Sequence, residues 1–259
     1  MPPELDVIVP QHGQILHTIR FLESFRRHAP LGTRLILVDN GTPDEEFNKL
    51  VPLLKRVYCV VVRNKTNLGF VKATNRGIGL SVAPYVVLQN NDTEIYDGCY
   101  QGLRDVLDEH PKTGVVGAVS SPCGSWVSYD KLKRVYPEVA EVGGLDEAHH
   151  GFRAFLLRQA LGEVSKVVTS MVPFFCVMLR QETLQHAGLL SEDYGVGLGD
   201  DDDYCAKLRS LGYEVRLDLG TYVFHNHRTT FRALYTNDEI TAMQKENLAK
   251  YLAKWRGGK

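Results

Sequence analysis

The sequence predicts an α/β fold with a mostly parallel central sheet flanked by helices. Two observations predict it. Short, continuous apolar runs recur through the first half of the chain, and segments with apolar residues at helical spacing separate them. Strands buried on both faces read as unbroken apolar runs, and a helix between two such strands makes them parallel.

Leu5–Val9 is the first run and stops at Pro10. Ile15, Ile19, Leu22 and Phe25 then mark a helix. Leu35–Val38 is the second strand. Thr42, Pro43 and Glu45 follow it as cap, first-turn proline and capping-box acid, and Phe47, Leu50, Val51 and Leu54 supply an apolar helix face. Tyr58–Val62 is a third strand. Phe70, Val71, Thr74 and Ile78 mark a helix, and Tyr85–Leu88 a fourth strand. Leu103, Val106 and Leu107 suggest a helix before the strand Val115–Val119. The residues 120–170 are irregular, with a helix suggested near Phe152–Leu161. Val172–Leu179 then reads as a strand, Tyr204 to Leu211 as a helix ended by Gly212, Tyr213–Leu217 and Tyr222–His225 as strands, and Asp238–Trp255 as a final helix. With no repeat or linker, a single domain is expected.

The bulk properties narrow the function. The 259 residues are 44% hydrophobic and carry a formal net charge of -1, which argues against a nucleic-acid binder. No run of about 18 apolar residues is present, so no membrane span is expected. No leader pattern precedes Leu5. Cys59, Cys99, Cys123, Cys176 and Cys205 are widely spaced and odd in number, which suits free thiols in a reducing cytoplasm.

Open parallel sheets bind ligands beyond the carboxyl ends of their strands. Polar residues gather at four such ends: Pro10-Gln11-His12, Asp39-Asn40-Gly41-Thr42, Arg63-Asn64 through Phe70, and Gln89-Asn90-Asn91-Asp92. Asp39 suits a base N–H, and it suits a turn or cap equally well. Four polar ends together exceed what capping requires.

These segments carry a resemblance. Val7-Ile8-Val9-Pro10, Leu37 to Thr42, Asn67 to Phe70 with Asn75 to Ile78, and Leu88 to Asp92 stand in one order. Gly199-Asp200-Asp201-Asp202-Asp203-Tyr204-Cys205 and Val223-Phe224-His225 continue it. The chain resembles family 2 of the nucleotide-sugar glycosyltransferases, which have the GT-A fold and invert the anomeric centre. The resemblance implies one domain over 1–259, with a nucleotide-sugar-binding half (1–119), an acceptor and catalytic half (120–235) and a C-terminal helix (236–259). It places Pro10, His12 and Asp39 around the base and ribose, and Asn67, Gly69, Asn75 and Asn91 in the nucleotide-sugar pocket. Asn90-Asn91-Asp92 stands where the family carries an Asp-x-Asp metal motif. Asn90 departs from it, so Asp92 is the motif's one carboxylate, with His225 implied as a second ligand. Mg2+ or Mn2+ then takes its remaining ligands from phosphate and water.

The acid run reads two ways. Aspartates favour the first turn of a helix, where the dipole is positive. By the resemblance, Asp201 is the general base, Asp200 and Asp203 support it, and Asp203 caps the helix. An acceptor hydroxyl must lose a proton as it attacks the anomeric carbon, and an aspartate with a pKa near ~3.9 is ionised for that role. The metal would offset charge on the departing diphosphate.

Other residues keep bland readings beside functional ones. His225 also serves as a polar strand end, and His227 and Arg228 are alternatives for metal or diphosphate. Trp126, Tyr129, Phe174 and Phe175 are candidates for stacking on an acceptor sugar, the last two being equally suited to core. His149 and His150 belong to the irregular segment. Lys245, Lys250, Lys254, Arg256 and Lys259 suit a solvated helix face or a peripheral contact with an anionic membrane. The expected partners are a nucleoside-diphosphate sugar and a glycan or glycoconjugate acceptor. A nucleotidyltransferase is the alternative enzyme, disfavoured because Pro10-Gln11-His12-Gly13-Gln14 has one glycine and no Lys or Arg. A non-catalytic module draws support from Asn90 alone.

Overall fold

The computed structural model describes residues 2–120, 166–226 and 234–256. Trp126, Tyr129, His149, His150, the helix near 152–161, His227 and Arg228 lie outside them.

The first half is a wound parallel sheet. β1 (Leu5–Gln11) leads to α1 (Ile15–His28), and β2 (Thr33–Asn40) to two single turns, α2 (Asp44–Phe47) and α3 (Val51–Leu54). β3 (Cys59–Asn64), α4 (Phe70–Ile78) and β4 (Tyr85–Gln89) follow. Next come the short β5 (Thr93–Glu94), α5 (Cys99–Glu109) and β6 (Thr113–Val119). Beyond residue 165 the elements are β7 (Lys166–Thr169), β8 (Cys176–Arg180), α6 (Gln181–Ala187), α7 (Asp200–Ser210), β9 (Glu214–Tyr222), β10 (Phe224–His225) and α8 (Asn237–Arg256).

The sheet order is β3-β2-β1-β4-β8-β6-β9-β7, with β10 paired to β5 apart from it. β3, β2, β1 and β4 run parallel, β8 and β7 run against their neighbours, and β6 pairs β9 in parallel. The sheet is therefore mostly parallel. The chain winds outward from β1 to β3, then crosses back to place β4 on the other side of β1. That reversal opens a crevice at the strand ends.

Close approach of α4 to the sheet fixes the layer over β1 and β2. A Cβ at Gly77 would sit 2.3 Å from the Ile8 side chain, so only glycine lets the helix lie this low on β1. At the opposite end of the strands, Asp6 is fully buried. It accepts hydrogen bonds from Arg34 (2.7 and 2.9 Å), Ser81 (2.8 Å) and the N–H groups of Val82 (2.8 Å) and Ala83 (3.0 Å). Burial pushes its carboxyl up, but these donors outweigh it and hold the group below its usual range.

Four local expectations change. The helix expected after Thr42 is broken into α2 and α3, because Pro52 has no N–H to continue an α-helical ladder. Thr42 does not cap it; its hydroxyl donates to Gln11 (3.2 Å) and accepts from the Gly13 N–H (3.1 Å), tying β2 to the loop after β1. The strand expected from Val172 begins at Cys176, and residues 170–175 run as a loop into the crevice. β3 is an edge strand whose Val60 and Val61 are each 36% exposed, so its apolar run is not buried on both faces. The described cysteines, Cys59, Cys99, Cys176 and Cys205, are free thiols.

Candidate active site

A cavity of about 590 Å³ opens at the crevice. Pro10, Gln11 and His12 end β1 on its wall, Asn40 ends β2, and Asn67, Gly69 and Phe70 lead into α4. Asn90, Asn91 and Asp92 follow β4. The far wall comes from residues 171–175, the turn 196–199, Asp200 to Asp202, His225 and α8. The volume suits a drug-sized ligand.

Parallel register makes the wall of strand ends. Gln11 lies level with Asp39, and Asn40 with Asn64, so consecutive polar ends project from one edge. Asn40 organises them. It is 3% exposed and its side chain makes four hydrogen bonds: it donates to Asn67 Oδ1 (2.7 Å) and the Gly69 carbonyl (3.1 Å), and accepts from Asn64 Nδ2 (2.9 Å) and the Leu68 N–H (2.9 Å). Its carbonyl lies 2.9 Å from His12 Nδ1. The sequence offers Asn40 only as part of a polar strand end, with no role of its own. The missed signal was an amide beside a strand end that faces another amide pair.

The expected donor residues divide. Pro10, His12, Asn67, Gly69 and Asn91 line the cavity. Asp39 is fully buried behind it, accepting from Arg63 Nε (2.8 Å) and the Thr42 N–H (3.3 Å). Asn75 also points elsewhere: it donates to the Leu190 carbonyl (2.9 Å) and accepts from the Leu190 N–H (3.0 Å). It joins α4 to the loop before α7 and does not line the cavity.

The β5–β10 pairing delivers His225 to Asp92. His225 lies opposite Thr93, and its Nε2 is 3.2 Å from Asp92 Oδ1 and 3.3 Å from Asn90 Nδ2. Phe175 stacks on the imidazole at 5.0 Å, fixing the ring plane. Phe174 and Phe175 are both buried. Asp92 and His225 thus stand close enough to share one cation. Among the described residues, no group of three or more His, Cys, Asp or Glu converges. The pair fits a hard divalent cation that draws its other ligands from phosphate and water.

Asp200 and Asp201 enter the cavity at the N-terminus of α7. Gly199 is the cap residue, with φ 118°, and Asp203 takes a different role from the expected cap. Asp203 is 1% exposed and accepts from Tyr194 Oη (3.0 Å), Trp255 Nε1 (2.7 Å) and Lys254 Nζ (2.8 Å). Asp201 departs from the unperturbed acid expected. Burial, then the like charges of Asp200 and Asp202, push it up to about 8. Its Oδ1 accepts from the Asp202 N–H at 2.9 Å. Asp200 is pushed up to about 6, chiefly by burial.

The sequence and the fold match known proteins. The model of the glycosyl transferase family 2 matches residues 6–187, and the chain belongs to that family. The match stops ahead of the acid run. An uncharacterized protein of Sinorhizobium fredii is 23% identical over 274 residues, spanning 98% of this chain and 28% of that protein. The mannosyltransferase PcManGT of Pyrobaculum calidifontis, solved with GDP-Man and Mn2+, superposes with a TM-score of 0.64 at 15% identity, covering 98% of this chain and 64% of that one. S. aureus TarS residues 1–349, solved with UDP-GlcNAc, gives 0.62 at 13% identity over 96% of this chain and 66% of that one. GalNAc-T7, solved with UDP, GalNAc and Mn2+, gives 0.64 at 12% identity over 85% of this chain and 42% of that one. The chain thus spans under two thirds of these proteins' lengths, and the likenesses establish the GT-A fold.

Proposed function

We propose that this chain transfers a sugar, with inversion, from a nucleoside-diphosphate sugar to an acceptor hydroxyl of a glycan or glycoconjugate. One observation carries the reading: a single cavity joins the strand-end amides, the Asp92–His225 pair and the acids of α7. The nucleotide occupies the wall of Pro10, His12, Asn40 and Asn67. Asp92 and His225 would hold Mn2+ or Mg2+, which supplies countercharge to the departing diphosphate.

Asp201 faces the acceptor. Its proton affinity, matched to neutral pH, suits a group that takes the hydroxyl proton in the transition state better than a strong acid would. The flanking acids Asp200 and Asp202 add negative charge beside it, which opposes charge accumulation on the nucleophile but favours an oxocarbenium-like sugar. The loop after β1 argues against nucleotidyl transfer. The Gly13 N–H is committed to Thr42 Oγ1 (3.1 Å), and Pro10 to Gln14 bring no Lys or Arg to a triphosphate.

The test is thermal stabilisation by UDP, GDP, dTDP and CDP, with and without Mn2+. One diphosphate is expected to raise the melting temperature, and Mn2+ to enlarge the rise. Absence of any shift with all four, and with their nucleotide-sugars at millimolar concentration, defeats the reading.

A further inference from the structure

The turn that introduces α7 is built against backbone preference. Gly195, Gly197, Leu198 and Gly199 all have positive φ, at 62°, 130°, 73° and 118°. Three are glycines, which adopt such angles freely, but Leu198 bears a β-carbon that disfavours them. A turn of this shape persists only where its surroundings over-determine it.

One side chain supplies that determination. Asn247 of α8 is 5% exposed, and its Nδ2 donates to three carbonyls of the turn and its approach: Gly197 (2.9 Å), Leu198 (2.9 Å) and Tyr194 (3.2 Å). Its Oδ1 lies 3.4 Å from Lys250 Nζ, and the same Nζ donates to the Asp193 carbonyl (3.0 Å). Asn247 also lies close over Gly199, where an added Cβ would come within 3.6 Å of Asn247 Cβ.

The turn touches both halves of the cavity. On one side the Phe70 N–H donates to the Val196 carbonyl (3.3 Å), and a Cβ at Gly69 would meet Val196 Cα at 3.1 Å. On the other side Gly199 runs directly into Asp200 and Asp201. A shift in the turn therefore moves the acids relative to the donor wall.

We infer that Asn247 is a positioning residue for transfer, holding the Gly195–Gly199 turn in the shape that aims Asp201 into the cavity. The inference rests on the reading of Asp201 as base. Asn247 lines the cavity, but its amide hydrogens are spent on the turn, so it acts through the backbone and not on the sugar. The chemistry demands an amide donor. A carboxylate at 247 would face three carbonyl oxygens with no hydrogen to give, and a serine would keep one donor of the two.

The experiment compares Asn247→Asp, Asn247→Ser and Asp201→Asn in the full chain. It follows nucleoside-diphosphate release from the nucleotide-sugar that the thermal screen selects. Misplacing a catalytic group by about 1 Å costs on the order of 100-fold in rate. Asn247→Asp is expected to lower kcat by about that factor, with donor KM within about twofold, and Asn247→Ser to fall between it and the parent. Hydrogen exchange at residues 195–203 is expected to quicken in both while β1, β2 and β4 stay protected. A parental kcat in Asn247→Asp, or a fall that merely tracks the folded fraction, overturns the inference. Full activity in Asp201→Asn overturns the base reading instead, so the two failures are distinguishable.

Discussion

The two walls of the cavity are built by opposite means. The donor wall is mostly amide and regular, with Asp92 its one acid. Its amides, Gln11, Asn40, Asn67, Asn90 and Asn91, stand at or just beyond the ends of parallel strands and are held by polar neighbours: Asn40 by Asn67, Gln11 by Thr42, Asn91 by Thr18 and Asn90 by His225. The facing wall is charged and irregular. Three acids project from one helix terminus, behind a strained turn that α8 holds. Amides cost little to bury once paired and keep one geometry at every pH. Acids packed together are costly to ionise, and that cost sets a proton affinity useful in chemistry. The first wall is suited to binding and the second to reaction.

The sharpest way to break this contrast is Asp201→Asn. Loss of a general base is expected to reduce transfer by about 1,000-fold, with diphosphate binding retained. In the parent, transfer should rise as pH is raised through about 8, because the base must be ionised. A profile flat from pH 6 to 9 would count against Asp201.

The mirror experiment on the donor wall is Asn40→Ala. It removes four hydrogen bonds and leaves buried partners unsatisfied, so a stability loss of about 3 kcal/mol is expected in urea unfolding. Diphosphate binding should weaken with it, since Asn67 and Gly69 lose their support. An intact melting transition would show that the amide network is not the frame of that wall.

The pH dependence of stability separates the walls further. Asp200 and Asp201 have folded pKa values of about 6 and about 8, above the reference of 3.8. The folded state therefore holds more protons between those limits, and stability falls as pH rises from about 4 to 8. Asp6 is depressed, so its contribution is present above about 4 and is lost as pH falls below that. Stability should peak on the acid side of neutrality, and Asp201→Asn should flatten the upper slope. An unchanged slope in that variant would mean that Asp201 titrates normally.

The smallest expected effect is at Arg63. Its guanidinium pairs with the buried Asp39 (2.8 Å) and the exposed Asp44 (2.6 Å), but its own side chain is 37% exposed. Arg63→Gln should cost about 1 kcal/mol, less than a fully buried pair would, because solvent partly replaces the lost charge. Urea midpoints would measure it.

Much of the donor wall was legible because its logic is periodic. An apolar run that ends in a polar residue marks both a strand and the edge it serves, so Pro10, His12, Asn67 and Asp92 could be placed from neighbours in sequence. Asp39 and Asn75 had the right neighbourhood, but side-chain direction depends on partners far along the chain, Arg63 and Leu190. The Asp201 proton affinity was not legible, since burial is a tertiary property. Nor was Asn247, whose meaning lies in carbonyls 49 to 53 residues away.

The order of the strands has a consequence for assembly. β9 lies inside the sheet, between β6 and β7, although it follows both in the chain. Until residue 214 and its successors are available, β6 has an open edge on that side and β7 lacks the neighbour it pairs with. A nascent or truncated chain ending before β9 would thus carry a long, apolar, unpaired edge, the kind that recruits other chains. The step that seals the sheet is inserting an interior strand late, a pairing of high contact order that slows folding.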